Sequence, residues 1–408
     1  MRASTRRARR RSRRRAAADA RHSADASIRG RGWSTVARRG AARRRADVGG
    51  CCQHRRMPTI VPPYLLDRIA EAAGTRYPLA AEAARRALLR EPPARLGPTS
   101  PGLPLESYPG QPSALPDAPS DPDRRISDAE GTERLPGRLV RREGERATGD
   151  DAVDDAYDGL GDTHRMFDRV FGRDSIDGRG MPLEATVHFG DKYDNAFWDG
   201  ERMVFGDGDG EIFRGFTDSL SVIGHELAHG VTEHTAKLRY QDQSGALNEH
   251  VSDAFGALVE QYALGQDAEA ATWLIGEGIF TAEVQGRALR SMIEPGTAYD
   301  DDVLGRDPQP AHMRDYIDTV EDNGGVHLNS GIPNRAFALA ARQLGGFAWE
   351  HVGRIWYDTL TSGELDEDAT FAQFADETVR QAERRFGAGS REVEAVRDGW
   401  REVGVLSA

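Results

Sequence analysis

Two histidines four residues apart, His225 and His229, enclose Glu226 in the run Ser219 to His234, SLSVIGHELAHGVTEH. On a helix of about 3.6 residues per turn this spacing sends both imidazoles from one face, a turn apart. Two neutral imidazoles so placed can grip one Zn²⁺, which takes nitrogen and oxygen ligands tetrahedrally at about 2.0–2.2 Å. Glu226 lies beside such a metal without being forced to ligate it, where a general base for a zinc-bound water is needed. H-E-x-x-H alone arises by chance in on the order of a few per cent of chains this long, so its flanks must decide. Val222, Ile223, Leu227, Ala228 and Val231 give the helix an apolar face, and Gly224 and Gly230, poor helix formers, sit close to the ligands. A purely structural helix requires neither glycine.

A third ligand should follow on a second helix, and the run from Gly245 to Asp253, GALNEHVSD, supplies Glu249. Asp253 stands one turn further along the same face. It is well placed to accept the outer N–H of a zinc histidine, fixing its tautomer and raising its basicity. Two histidines, one glutamate and a water keep a position open, whereas a structural zinc is normally closed by four protein ligands.

These residues resemble the thermolysin family of metalloendopeptidases, particularly its short bacterial, protealysin-like branch. The resemblance covers the chain from about Leu135 to the C-terminus. Besides HELAH and GALNEHVSD it rests on Asn195-Ala196-Phe197-Trp198, Tyr240-Gln241, Ala288-Leu289-Arg290-Ser291-Met292 and the run DNGGVHLNSG from Asp322 to Gly331. The longer zincin signature does not fit, since it wants Gly at 232 and His at 235 and this chain has Thr232 and Thr235.

The resemblance implies a zinc-dependent neutral endopeptidase with one catalytic zinc. Its ligands would be His225, His229 and Glu249, with Glu226 moving the proton from water toward the leaving nitrogen. His327 would hydrogen-bond the oxyanion, oriented by Asp322, and Tyr240 would be a second oxyanion donor. Arg290 would hold a substrate carbonyl with its planar fork, and Asn195 and Ala196 would form the edge strand along which an extended peptide lies. Phe213, Phe216, Val222 and Leu289 match the pocket beyond the scissile bond, though apolar character alone does not separate pocket from core. If they line it, cleavage falls before bulky apolar residues. Of the acids that build a double calcium site in calcium-rich members, this chain keeps Glu260 and Glu277 but has Ser221, Thr272 and Leu274. Ca²⁺ wants about six to eight oxygens, so that pair is expected to be lost. His250, directly after the third ligand, is a departure with no reading from sequence. A non-catalytic zinc-containing binding protein is the alternative, and the retention of every catalytic group argues against it.

The elements that must position these groups follow from patterning. Helical stretches are expected over Tyr64–Ala73, Leu79–Arg90 and Ala152–Phe171, with short strand signals such as Ala185–Phe189 up to residue 215. Gly206-Asp207-Gly208-Asp209-Gly210 lacks the spacing of an EF-hand and reads as a tight hairpin turn. From Ser219 onward the pattern turns helical, over Gly245–Leu264, Ile332–Gln343, Trp349–Leu360, Phe371–Phe386 and Arg391–Val403. This makes an α+β protein with a thermolysin-like, two-lobed arrangement: a β-rich lobe over 128–218, then the active-site helix and helical lobe over 219–408, with a cleft between them. Residues 57–127 are expected to form a propeptide that occupies the cleft in cis at high effective concentration. A small docking domain is the plainer reading of that segment. Its proline-rich loop, Pro92 to Pro122, is an exposed place for cleavage.

Charge is unevenly spread along the 408 residues. Nineteen Arg, no Lys and three Asp give residues 1–56 a charge of +16, leaving −28 for the remainder of a chain whose total is −12. The acidic body argues against nucleic-acid binding by the folded part. The Arg-rich segment is too polar to pack and reads as a disordered extension. Its composition also suits a basic arm for nucleic acid or membrane surfaces, and less well a targeting segment, which would need an apolar stretch. Met57-Pro58-Thr59-Ile60-Val61-Pro62-Pro63-Tyr64 resembles the start of protealysin-like precursors, so translation is expected to begin at Met57. Cys51 and Cys52, the two cysteines, cannot frame the fold. No apolar run approaches about 18 residues, so no transmembrane helix is expected. The family is mostly extracellular, so the expectation is secretion without a standard signal peptide, with a cytoplasmic role as the alternative. Protein and peptide substrates are the expected partners.

Overall fold

Proline opens the first two helices. In the computed structural model, which describes residues 58–72, 74, 76–89 and 120–407, α1 (Pro63–Ala72) and α2 (Pro78–Leu89) each begin on Pro, whose fixed φ suits a first turn and whose missing N–H is not needed there. The Arg-rich extension, Cys51, Cys52 and the proline-rich loop over residues 92–119 lie outside the described residues. Leu65, Leu66, Ile69, Ala80 and Ala84 of the two helices join the main hydrophobic core. The carboxylate of Glu211 accepts from the backbone N–H groups of Leu79 (2.9 Å) and Ala80 (3.0 Å), so an acid from outside the helix caps the positive end of α2.

The expected β-rich part is a five-stranded sheet. Its strands are β1 (Arg124–Asp128), β2 (Arg138–Arg142), β3 (Leu183–Val187), β4 (Ala196–Trp198) and β5 (Arg202–Phe205), in the order β2-β1-β3-β5-β4. β1, β3 and β5 run parallel to one another, and the outer strands β2 and β4 pair antiparallel. One face joins the main core. The other carries a small cluster of Ala129, Phe189, Tyr193, Phe197 and Val204. Helix α3 (Asp151–Met166) packs on the sheet and runs into a π turn over Phe167–Phe171. β3 stops before the expected Phe189 because His188 takes a left-handed φ of 53°, which breaks the extended run.

Gly206 to Gly210 is not a hairpin between two strands, as the sequence had suggested. Asp209 folds the chain after β5 by accepting from the backbone N–H groups of Glu211 (2.6 Å), Ile212 (2.7 Å) and Phe213 (3.1 Å). Phe213 then pairs with Phe280 instead of returning along β5.

The helical part follows. It comprises α4 (Leu220–Glu233), α5 (Asp242–Leu264), α6 (Asp322–Asn329), α7 (Gly331–Leu344), α8 (Val352–Thr361), α9 (Phe371–Phe386) and α10 (Arg391–Glu402). No described helix is long and apolar enough to cross a membrane. α4 and α5 pack backbone to backbone at their glycines. A Cβ on Gly224 would stand 3.1 Å from the Cα of Gly256, and a Cβ on Gly256 would stand 2.5 Å from the carbonyl oxygen of Ser221 and 3.0 Å from the nitrogen of His225. The glycines that cost α4 helix propensity therefore let two ligand-bearing helices approach closely.

Two expectations follow. Gly256→Ala must push α4 from α5, since its clash is with backbone; we expect about 1–3 kcal/mol less unfolding free energy in denaturant titration, and an unchanged midpoint would contradict the close approach. The second concerns His188, whose Nδ1 lies 2.9 Å from both oxygens of Asp207 and whose Nε2 lies 3.0 Å from Asp150. The Asp207 hydrogen bond, against burial and with help from Asp150, raises its pKa to about 9. Its stabilisation is complete below the ordinary value of 6.5 and is lost as pH rises through about 9. The stability gap between wild type and His188→Asn should therefore close over that window, and a gap independent of pH would refute it.

Candidate metal centre and its cleft

α4 and α5 bring the chemistry together. His225 and His229 project from α4, and Glu249 faces them from α5; these three are the group of metal-capable side chains among the described residues, their donor atoms all within 4.8 Å of one another. All three are buried. Asp253 Oδ1 accepts from His225 Nδ1 at 2.8 Å. Asn248 Oδ1 accepts from His229 Nδ1 at 2.8 Å, while its amide nitrogen donates to the carbonyl of Leu238 (2.9 Å) and so fixes which end faces the ring.

With Nδ1 occupied as a donor, a neutral ring presents its lone pair at Nε2, and the two Nε2 atoms face each other across 3.0 Å. Glu249 adds its carboxylate, Oε2 at 3.6 Å from His225 Nε2 and Oε1 at 3.5 Å from His229 Nε2. Oε2 has no hydrogen-bond partner among the described residues. Burial pushes the His229 pKa down to about 3, outweighing the pull of Glu249, so its ring is neutral. Burial also opposes charge on Glu249, but the neighbouring charge of His327 above all holds its pKa below the ordinary value. Converging lone pairs with no proton between them repel unless a cation sits among them. Two imidazoles, one carboxylate and no thiolate are a donor set that suits zinc.

Glu226 stands beside the triad. It is fully buried, and neither carboxylate oxygen makes a hydrogen bond of ordinary geometry among the described residues. Burial, and next the charge of Glu249, raise its pKa well above the usual range; the nearby backbone N–H groups of Trp198 and Ile60 favour the charged form more weakly. A carboxylate of raised proton affinity is the stronger base, and the positive charge of a metal bound beside it would keep it ionised at the start.

Across the cleft, Asp322, Asn323, Gly324 and Gly325 take left-handed φ values of 51°, 51°, 86° and 74°, kinking α6 where sequence patterning had suggested no helix. The kink lets Asp322 reach forward: its Oδ1 lies 2.6 Å from His327 Nδ1 and its Oδ2 accepts from the His327 backbone N–H at 2.9 Å. Burial disfavours the imidazolium, but Asp322 and then Glu249 outweigh it and raise the His327 pKa to about 9. Tyr240 donates to Glu249 Oε1 and lies 3.2 Å from His327 Nε2. Burial and the neighbouring carboxylates raise its pKa well above that of a free phenol, so it stays a donor.

Arg290 sits in the floor, buried, with Nε and an Nη on the two oxygens of Asp253 at 2.9 and 2.8 Å. Asp253 therefore orients both a metal histidine and the arginine. Burial works against its charge, but Arg290 and then His225 hold its pKa below the usual range. Asn334 completes its shell with an N–H donated to Oδ2 at 2.8 Å. His250, unread in the sequence, is the next link: Trp356 Nε1 donates to its Nε2 (2.7 Å), so its Nδ1 carries the proton and donates to Asn334 Oδ1 (2.8 Å). Asn248, Asn334 and Trp356 were missed by sequence reasoning. Asn248 had a signal, because a second zinc histidine needs an acceptor for its outer N–H just as the first does.

A stretch of the chain's own N-terminal region lies in the cleft. Thr59 pairs antiparallel with Phe197 on edge strand β4, and the N–H of Ile60 donates to the carbonyl of Ala196 at 3.2 Å. Asn195 brackets Val61, accepting from its N–H at 2.9 Å and donating to its carbonyl at 3.1 Å. Arg290 donates to the carbonyl of Ile60 at 3.0 Å, and His327 Nε2 faces the carbonyl of Thr59 at 2.9 Å. Phe213, Phe216, Val222 and Leu289 are all buried in the hydrophobic cluster that also contains Ile60.

Comparison with known proteins agrees with this architecture. The description "thermolysin metallopeptidase, catalytic domain" matches residues 120–233, and "thermolysin metallopeptidase, alpha-helical domain" matches residues 236–405. An extracellular metalloprotease of Pectobacterium carotovorum is 56% identical over 283 residues, spanning 69% of this chain and 81% of that protein. Protease PrtS of a Photorhabdus species is 52% identical over 285 residues, 69% of this chain and 76% of that protein. Among solved structures, the precursor of protealysin, a metalloproteinase from Serratia proteamaculans, superposes with a TM-score of 0.76 at 50% identity, covering 86% of this chain and all of that one. The two-lobed fold, the buried His-His-Glu triad and these matches place the chain in the thermolysin family of zinc metalloproteases, hydrolases of peptide bonds.

Proposed function

We propose that the chain is a neutral endopeptidase made as a self-processing zymogen, cleaving before bulky apolar residues. The observation that carries this is the register of residues 59–61: the carbonyls of Thr59, Ile60 and Val61 and the N–H of Val61 each meet a side chain suited to bind them, and the N–H of Ile60 pairs with the edge strand. The family's zinc, held by His225, His229 and Glu249, supplies Lewis acidity and an activated water when bound. Glu226, buried beside the triad, takes the proton of the attacking water and passes it to the leaving nitrogen. His327, kept protonated by Asp322, and Tyr240 donate to the developing oxyanion. Arg290, held by Asp253, fixes the carbonyl one residue beyond the scissile bond, and Asn195 the residue after that. Phe213, Phe216, Val222 and Leu289, with Ala196, form the apolar wall for the side chain that Ile60 now supplies. A non-catalytic zinc protein would have no use for a buried, unpaired Glu226.

We take the segment from residue 57 as the propeptide but end it before β1 rather than at 127, because Arg124–Asp128 is paired on both sides within the five-stranded sheet. The β-rich lobe then runs from β1 to 218, and 219–408 is the active-site helix with the helical lobe. The described part of the propeptide supports latency by lying across the cleft in cis. We further propose that the double calcium site is lost, because Ser221 spends its hydroxyl on the backbone N–H of Gly276 at 3.1 Å. Secretion is proposed by analogy with relatives named extracellular.

Expressed side by side with Glu226→Gln, wild type should shorten itself and digest casein, while the variant retains one zinc and does neither; metal analysis should find no tightly held calcium in either. Equal activity of the two would reduce the triad to a structural site. Sequencing the casein fragments should find new N-termini rich in Leu, Ile and Phe. N-termini dominated by charged residues would instead contradict the apolar wall.

A further inference from the structure

The segment in the cleft is aligned as a substrate, not merely as a plug. An extended inhibitor could run backward or straddle the centre with no peptide bond between the oxyanion donors and the base. Here the carbonyl of Thr59 faces His327 Nε2 at 2.9 Å, and His327 Nε2 in turn lies 3.6 Å from Glu249 Oε2. The next nitrogen along the chain, that of Ile60, donates to Ala196 O and lies near Glu226. The next carbonyl is on Arg290, and the residue after that is on Asn195 at both its polar atoms. One peptide bond thus has its carbonyl oxygen at the oxyanion donor His327 and its nitrogen beside the base, in the direction the site requires.

We propose that the Thr59–Ile60 bond is itself a substrate, hydrolysed in cis, so that the chain gains a new N-terminus at Ile60. This rests on the endopeptidase reading above. One water is consumed: its oxygen bonds to the Thr59 carbonyl carbon, the C–N bond breaks, and the Ile60 nitrogen leaves as a free amine with a proton relayed by Glu226. The upstream fragment ends in a Thr59 carboxylate.

The cut by itself does not open the cleft. On the downstream side Ile60 and Val61 stay bound through Arg290 and Asn195, and the helices that follow remain anchored: α1 by Leu65, Leu66 and Ile69 in the core, α2 by Glu211 at its N-terminus. The product is tethered in place, so the Ile60 species is a latent form, and activity requires a later cut beyond α2.

The test follows the full chain, zinc-loaded, by intact mass and N-terminal sequencing. We expect wild type to give a species beginning at Ile60 before casein-digesting activity appears, at a rate independent of protein concentration. Glu226→Gln should keep the bond, and Ile60→Asp, which places a charge in an apolar pocket, should slow the cut by about tenfold or more. In the Glu226→Gln protein, the ¹³C resonance of the Thr59 carbonyl should shift on zinc addition, reporting placement without turnover. Wild type that digests casein but never yields an Ile60 terminus would overturn this proposal alone; wild type that does neither would take the endopeptidase reading with it. Cleavage at Ile60 in Glu226→Gln, or at a rate rising with concentration, would assign the cut to another molecule and also overturn it.

Discussion

The site depends on repulsion held in place. Two imidazole nitrogens and a carboxylate aim unprotonated lone pairs at one another in a buried space, an arrangement that only a bound cation makes favourable. Folding must hold that geometry by means unrelated to the metal. The means is the meeting of Gly224 and Gly256, which brings α4 and α5 close enough for their side chains to converge. Asp253 and Asn248 then fix each ring from behind.

Asp253 carries more than one task. It orients His225, anchors Arg290 and receives Asn334, which His250 and Trp356 hold in turn. The metal ligand and the arginine that grips the peptide are therefore set by one carboxylate, so zinc geometry and peptide register are mechanically linked. A buried polar chain of this kind is stable because each described member has its partners, and disturbing one link exposes the rest.

Much of this was legible in the residues. The four-residue spacing of His225 and His229 fixed a helix face, and Glu249 with Asp253 fixed a second, because ligand chemistry and helical periodicity agree there. The long helices were readable for the same reason, their apolar positions recurring with one period. What was not legible depended on contacts distant in sequence. His250 acquires meaning only beside Asn334 and Trp356, which nothing in local pattern ties to it. The kinked helix α6 was absent from the expected helices, since helical and left-handed residues share one short run there. The GDGDG stretch was read as a hairpin because its glycines suit any tight turn, and only the pairing of Phe213 with Phe280 settles which turn is made. The alignment of Thr59 to Val61 with the cleft likewise joins residues more than one hundred positions apart.

X-ray absorption at the zinc edge, on the full chain loaded with one equivalent of zinc, tests the central claim most directly. The account predicts a first shell of nitrogen and oxygen at about 2.0–2.2 Å with scattering from two imidazoles and no sulfur. Sulfur at about 2.3 Å, which would bring in Cys51 and Cys52, or a shell without histidine, would contradict it.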